Sequence, residues 1–379
     1  MDARAKRNVA FVGPMPPPVT GFRLVNAIIL AALQPRARVD VFDRARGALV
    51  GGTLDELAGV ASSAARLRAL LGQMLLALRF CGTSLGRRNA RLYMGLSGGI
   101  GQLFDLIYLG MTRLLRNPIF IHHHSFAYIN TPTRLSRLVF RLTRTQTHVL
   151  LSAGMAEALV RQYGLSGART LVISNAAYFT DDSSGAATAA VAEGARPDAW
   201  PLRIGYLSNI TFDKGFVEFF GVLQRLNALG VRYEARIGGP VAPDARQTFD
   251  ELCASTPDVR HLGPLYDAAK DQFFRELDLL LFPTRYANEA EPLVIHEALR
   301  CGVFTLACRR GAIAEVLQNG AGEVFAESEF VESAAACVRA LDADRAALAQ
   351  KRVLAVAQAR RLRAEGQAGL ATLLAAVTD

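Results

Sequence analysis

The sequence predicts an α/β protein of two doubly wound domains in tandem, each a parallel sheet covered by helices. Three observations predict it. Short apolar strands alternate with amphipathic helices in both halves of the chain, a stretch rich in Ala, Gly, Ser and Asp separates the halves, and the halves carry opposite net charge. With 379 residues, 51% of them hydrophobic, the chain is long enough to build two substantial cores.

In the first half, NVAFVG opens as a strand and runs into the loop GPMPPPVTG. ARVDVFD reads as the second strand, and NPIFIHHHSF and THVLLS as later ones, with helices between. From Ala176 to Asp198 the chain loses periodicity, which predicts a linker. Beyond it, LRIGYL (202–207) is a strand, GFVEFFGVLQRLNALG an amphipathic helix, and YEARIGGP a strand ending in glycines. A helix near 243–254 and the buried strand DLLLFP follow. The expected domains are 1–180 and 201–354 with the linker at 181–200, and a helix about 355–379 packing back on the first domain.

Several classes are set aside. The longest apolar candidate, Leu70 to Phe80, is interrupted by Gly72 and Gln73 and falls short of the roughly 18 residues of a spanning helix. The start, MDARAKRNVAFVG, passes from a basic lead straight into a strand, so a soluble, cytoplasmic chain is expected. Five scattered cysteines without a C-x-x-C spacing indicate neither a disulfide framework nor a zinc site.

The net charge of +9 is unevenly divided. Residues 1–180 hold 22 Lys and Arg against 7 Asp and Glu, and the remainder 21 against 27. The first half therefore calls for an anionic partner: a membrane surface, a lipid phosphate or nucleic acid. Arg134, Arg137, Arg141 and Arg144 fall at helical spacing on one face, with Leu135, Leu138, Val139 and Leu142 on the other. Such a helix can rest on anionic lipid or form a solvated face. Nucleic acid is disfavoured, because no binding motif or aromatic interleaving accompanies these arginines.

The stretch NEAEPLVIHEAL has a place in this plan. DLLLFP ends a strand, TRYANEAE is loop, Pro292 suits the first helical position, and the helix runs to Cys301 before Gly302 and the strand VFTLA. Ligands bind at such strand ends in open α/β sheets, and the backbone N–H groups of Leu293 and Val294 would favour an anion. Glu289 lies in the loop, and Glu297 lies five residues past Pro292, about 7.5 Å along the axis. The pair can touch opposite ends of one elongated ligand; alternatively, Glu289 is a solvated loop charge and Glu297 an ordinary helix residue.

Lys214, one of only four lysines, follows the strand 202–207 and precedes Gly215, where a helix begins. It can meet a phosphate there or be a solvated helix-start lysine. On a strand, His122 and His124 project to one face and His123 to the other, so the three cannot form a compact metal site. In GPMPPPVTG, Thr20 and Gly21 open the next helix, where backbone could approach a phosphate or an acceptor hydroxyl, or simply turn. Asp342-Ala343-Asp344 lies between helical patterns and reads as helix capping, not as a metal site.

NEAEPLVIHEALRCG resembles the E-x7-E region of retaining GT-B glycosyltransferases of family 4, and ACRRGAIAEVL resembles that family's G-G-x-x-E-V segment. YLSNITFDKG, RIGGP, HLGPLYDAAKDQFF and LLFPTRY resemble further landmarks of the second domain, and GPMPPPVTG, IHHHSF and VISNAAY those of the first. The resemblance spans nearly the whole chain. It implies the GT-B fold, two Rossmann-like domains facing a central cleft, and metal-independent, retaining transfer of a sugar from a UDP- or GDP-linked donor without a cofactor.

In that likeness Lys214 and the Pro292 helix start bind the donor diphosphate, Glu297 holds ribose hydroxyls and Glu289 positions the donor sugar. His124, with His122 as second choice, assists from the first domain, and backbone around Gly239 and Gly263 meets the base. Asn209 stands where the family often has Arg, with Arg285 or Arg309 as the expected support. The implied acceptor is a glycan or lipid-linked sugar of exopolysaccharide or envelope synthesis, met at the inner face of the cytoplasmic membrane. A nucleotide-sugar epimerase of the same fold and a non-catalytic basic scaffold are the other readings.

Overall fold

Residues 6–17, 20–47, 63–87, 90–165, 167–179 and 201–379 are described by a computed structural model, and the expected linker 181–200 lies outside them. The chain divides into two units, one of Met1–Tyr178 with Glu365–Asp379 and one of Phe179–Ala364.

In the first unit six parallel strands run in the order β2-β1-β3-β4-β5-β6: β1 (Asn8–Gly13), β2 (Arg38–Asp43), β3 (Arg91–Gly95), β4 (Ile119–His122), β5 (Thr147–Leu150) and β6 (Arg169–Val172). Val9 to Val12 are all buried, as a run apolar on both sides must be when helices cover both faces of its sheet. On one face the Gly21–Leu33 helix sets Val25, Ile29 and Leu33 against Phe11 and Tyr93, joined by Leu373, Leu374 and Val377. On the other, Phe80 of the Ser63–Gly86 helix meets the ring edges of Phe42 and Tyr108, at 5.2 and 5.0 Å.

Three expectations for this unit are corrected. Ala176, Ala177 and Tyr178, read as the start of the linker, form a buried 3-10 turn, because the tyrosine and alanine side chains complete the core. Gly72 and Gln73 do not interrupt the Ser63–Gly86 helix: both lie on its buried side, where the Gln73 amide donates to the Arg44 carbonyl at 2.8 Å. That helix contains a 20-residue stretch, Leu67–Gly86, long and apolar enough to cross a membrane. In the Arg134–Thr143 helix the buried side is Ser136, Val139, Phe140 and Thr143. At about 100° per residue Leu138 falls beside Arg134, Arg137 and Arg141 on the exposed side, and Arg144 follows the last turn.

The second unit repeats the design with β7 (Leu202–Leu207), β8 (Tyr233–Gly238), β9 (Val259–His261), β10 (Leu279–Phe282), β11 (Phe304–Cys308) and β12 (Gly322–Phe325), parallel in the order β12-β11-β10-β7-β8-β9. The Phe216–Ala228 and Phe330–Ala343 helices cover one face through Phe219, Phe220, Leu223, Ala334 and Val338. Each buried phenylalanine contributes roughly 2–3 kcal/mol of apolar transfer. Phe273, Phe274, Leu277 and Ala298 belong to a second core cluster. The closing helix, Arg345–Thr378, begins in this unit, while Glu365–Asp379 belong to the first.

Candidate active site

The strand order of the second unit reverses between β7 and β10, so the loops leaving their C-terminal ends diverge around the point where α/β sheets take ligands. Here the two loops touch. Gly215 has φ +77°, and a Cβ on it would stand 2.0 Å from the carbonyl oxygen of Pro283, so only glycine lets the loop after β7 rest on the loop after β10. The buried Tyr206 hydroxyl donates to the Lys214 carbonyl at 3.1 Å and fixes the residue before that glycine.

The Lys214 ammonium consequently meets Glu289, 75 residues away, with Nζ 2.6 Å from Oε2 and 4.8 Å from the Tyr286 ring centre. The same carboxylate oxygen accepts from Thr284 Oγ1 at 3.1 Å. Gly311, in the loop after β11, closes on the other side with φ +47°; a Cβ there would lie 2.2 Å from the Glu289 carbonyl oxygen. Lys214 has three N–H donors, so the pair leaves it able to meet a further acceptor.

Pro292 is the N-cap of the Leu293–Arg300 helix, not its first residue: its ring holds φ at −65° but ψ is extended at 126°. The leading backbone N–H groups are thus those of Leu293 and Val294, as expected. Glu297 pairs with Lys270 of the Asp267–Arg275 helix at 2.5 Å. Burial raises the Glu297 carboxyl pKa, and the Lys270 ammonium opposes the rise. Lys270 and the pair Glu291–His296 carry no signal in the local sequence pattern. His296 Nε2 donates to Glu291 Oε1 at 2.9 Å and both side chains are buried, an acid and a base on either side of the same helix start.

Gly239 has φ +131°, and a Cβ would lie 1.8 Å from the Ser208 carbonyl; its N–H donates to the Gly263 carbonyl at 2.8 Å. These glycines draw the loops after β8 and β9 against the exposed Asn209. Arg285 does not support Lys214: it pairs with Glu327 at 2.7 Å and with Glu218 at 3.0 Å, which engages its planar fork. Arg309 is exposed.

In the first unit His122 is the last residue of β4, so His124 lies in the loop beyond the strand. The alternation still holds: the His123 N–H donates to the Val149 carbonyl at 2.9 Å and carries the ladder one residue past the strand. The rings of His122 and His124 sit 4.0 Å apart, and Phe22 lies 4.4 Å from His124. His123 points away, hydrogen-bonded to Tyr128 at 2.7 Å and to His148 at 2.9 Å. Burial lowers the His122 pKa to about 3 and that of His124 well below the usual imidazole value, so both rings are neutral. Tyr93 hydrogen-bonds to His122 Nδ1 at 2.6 Å, while Nε2 of His122 and of His124 are buried without a partner. Thr20 caps the next helix through the Arg23 N–H at 3.5 Å, and Gly21 leads it. A cavity of about 770 Å³, lined by Met15, Pro16, Leu30, Asp43, Leu76 and Arg79, opens beside this loop.

Among the described residues no group of three or more His, Cys, Asp or Glu could hold a metal ion. Asp344 accepts from the Ala347 N–H at 2.8 Å as a helix cap, and Asp342 pairs with Arg345.

Comparison with solved structures decides the architecture. The chain is similar to the Anabaena protein HepE, solved in complex with UDP (18% identity, TM-score 0.69, covering 97% of this chain and 99% of that one). It is also similar to a glycosyltransferase from Rickettsia africae (12%, TM-score 0.68, 98% of each chain).

The fold is GT-B.

Sucrose-phosphate synthase from Thermosynechococcus elongatus shares this GT-B fold (14%, TM-score 0.66, 97% of each chain). Residues 201–344 match the family model for glycosyl transferases group 1, a span that holds Lys214, Glu289 and Glu297. No curated protein matches the chain.

Proposed function

We propose that the protein is a retaining, metal-independent hexosyltransferase of family 4, transferring a sugar from a nucleotide-diphosphate donor without a cofactor. The observation that carries the reading is the contact of Lys214 with Glu289 at the reversal of the second sheet. Lys214 and the leading N–H groups of the Leu293–Arg300 helix stabilise charge on the departing diphosphate, the strongest help that fixed donors give to such a reaction. Glu289 positions the donor sugar, Glu297 accepts from ribose hydroxyls, and backbone around Asn209, Gly239 and Gly263 meets the base. The bond from the anomeric carbon to the diphosphate breaks as the bond to the acceptor oxygen forms, and the acceptor proton leaves with the diphosphate.

HepE is solved with UDP and with UDP-glucose, which favours UDP over GDP as the donor nucleotide here. Neutral His124, with its Nε2 unpartnered, serves the sugar or the reacting centre from the first unit. The acceptor is a glycan or lipid-linked sugar of exopolysaccharide or envelope synthesis, met by a peripheral protein at the anionic cytoplasmic face of the membrane. Thermal shifts with UDP, GDP and ADP test the reading. One diphosphate should stabilise the protein by about 2.7 kcal/mol at a hundredfold excess over its Kd. No shift with any of the three refutes the donor site. Release of an altered free sugar without acceptor would instead identify an epimerase.

A further inference from the structure

The Ser63–Gly86 helix presents a face that, among the described residues of the first unit, nothing covers. Leu67, Leu71, Met74, Leu75, Leu78 and Leu85 stand outward along it, with Leu75 and Leu85 each 64% exposed, whereas Ala69, Leu76, Ala77 and Phe80 are buried. Positions 67, 71, 74, 75, 78 and 85 repeat at the helical period, so this is one stripe rather than scattered exposed leucines. The neighbouring Gln102–Leu114 helix packs against it and adds Leu103 and Leu114, 53% and 77% exposed. On its other side Gln102–Leu114 packs against the Arg134–Thr143 helix with its outward arginines.

We infer that this helix layer is a docking face for an anionic phospholipid bilayer, with the Ser63–Gly86 helix lying in the plane of the interface. The inference rests on the membrane partner proposed above and gives it a location. Charge selects the occupant. The Ser63–Gly86 sequence contains no acidic residue, Arg68 and Arg79 are exposed on it, and residues 1–180 hold 22 basic residues against 7 acidic. A second copy of the chain would bring two such basic faces together, whereas anionic lipid neutralises them while the leucines enter the acyl boundary. The helix lies flat because its opposite side is core: Phe80 packs on Phe42 and Tyr108, and spanning would pull these apart.

The test is flotation of the full chain with vesicles of phosphatidylcholine alone or mixed with phosphatidylglycerol. The wild type floats only with the mixed vesicles, and Leu71→Gln/Leu75→Gln/Leu78→Gln weakens this by about tenfold or more while keeping the UDP thermal shift. A variant that floats like the wild type overturns the inference but leaves the membrane partner standing. A wild type that never floats overturns both. A wild-type dimer that the variant dissolves overturns it in favour of a second copy. The single substitution Leu75→Trp, which keeps the fold, should shift its fluorescence to the blue on mixed vesicles; an unchanged spectrum also overturns the inference.

Discussion

The two units share a strand plan and differ in what they bury at the ends of their strands. The second sets each candidate carboxylate against a lysine, Glu289 with Lys214 and Glu297 with Lys270. The first buries His122, His123 and His148 as neutral imidazoles and shuts His124 Nε2 from solvent. The difference teaches how one fold divides labour: paired charges can rearrange around an anionic ligand, while neutral rings offer hydrogen bonds without adding charge.

The largest expected effect breaks the charged side of that comparison. Lys214→Ala should lower transfer by about 10²–10³-fold, the cost of one preorganised group facing developing charge, and abolish the UDP thermal shift. Initial-rate kinetics with saturating acceptor measure it, and a rate within a few fold of wild type removes Lys214 from the site. Gly215→Ala forces a left-handed alanine into the Pro283 carbonyl and should destabilise the protein by about 3 kcal/mol, read as a lower urea midpoint.

Acid sharpens the comparison from the other side. The folded His122 pKa, about 3, lies below the ordinary 6.5, so the unfolded chain takes up protons that the folded chain refuses. Stability from the neutral ring is complete above pH 6.5 and is lost as pH falls toward 3, at about 1.4 kcal/mol per pH unit for each such buried imidazole. Glu297 has the opposite sign: its raised pKa costs stability as pH rises through it. Urea midpoints between pH 7.5 and 5 should therefore fall, and a flat profile would mean that the histidines are not held neutral. Glu297→Gln, which keeps shape but loses charge, should raise the donor KM about tenfold with kcat little changed.

Much of this site is legible in residue order. Strands 202–207 and 8–13 declare themselves through apolar runs bounded by glycine and proline, and Lys214 and Glu289 stand out because each follows such a strand. Their contact is not legible: it depends on β7 and β10 becoming neighbours and on Gly215 admitting Pro283, facts of topology and steric space that local spacing cannot carry. Lys270 is hidden for the same reason, since its partner lies on another helix. In the Ser63–Gly86 helix, Gly72 and Gln73 read as interruptions along a line, whereas on a cylinder they share the inward side.

The Arg345–Thr378 helix starts in one unit and carries the chain into the other. The polypeptide therefore passes between the units twice, once after Tyr178 and once near Glu365. A single proteolytic cut within 180–200 would divide the chain into two fragments, seen as two bands on denaturing electrophoresis, and the C-terminal one would carry the second unit together with Glu365–Asp379 of the first.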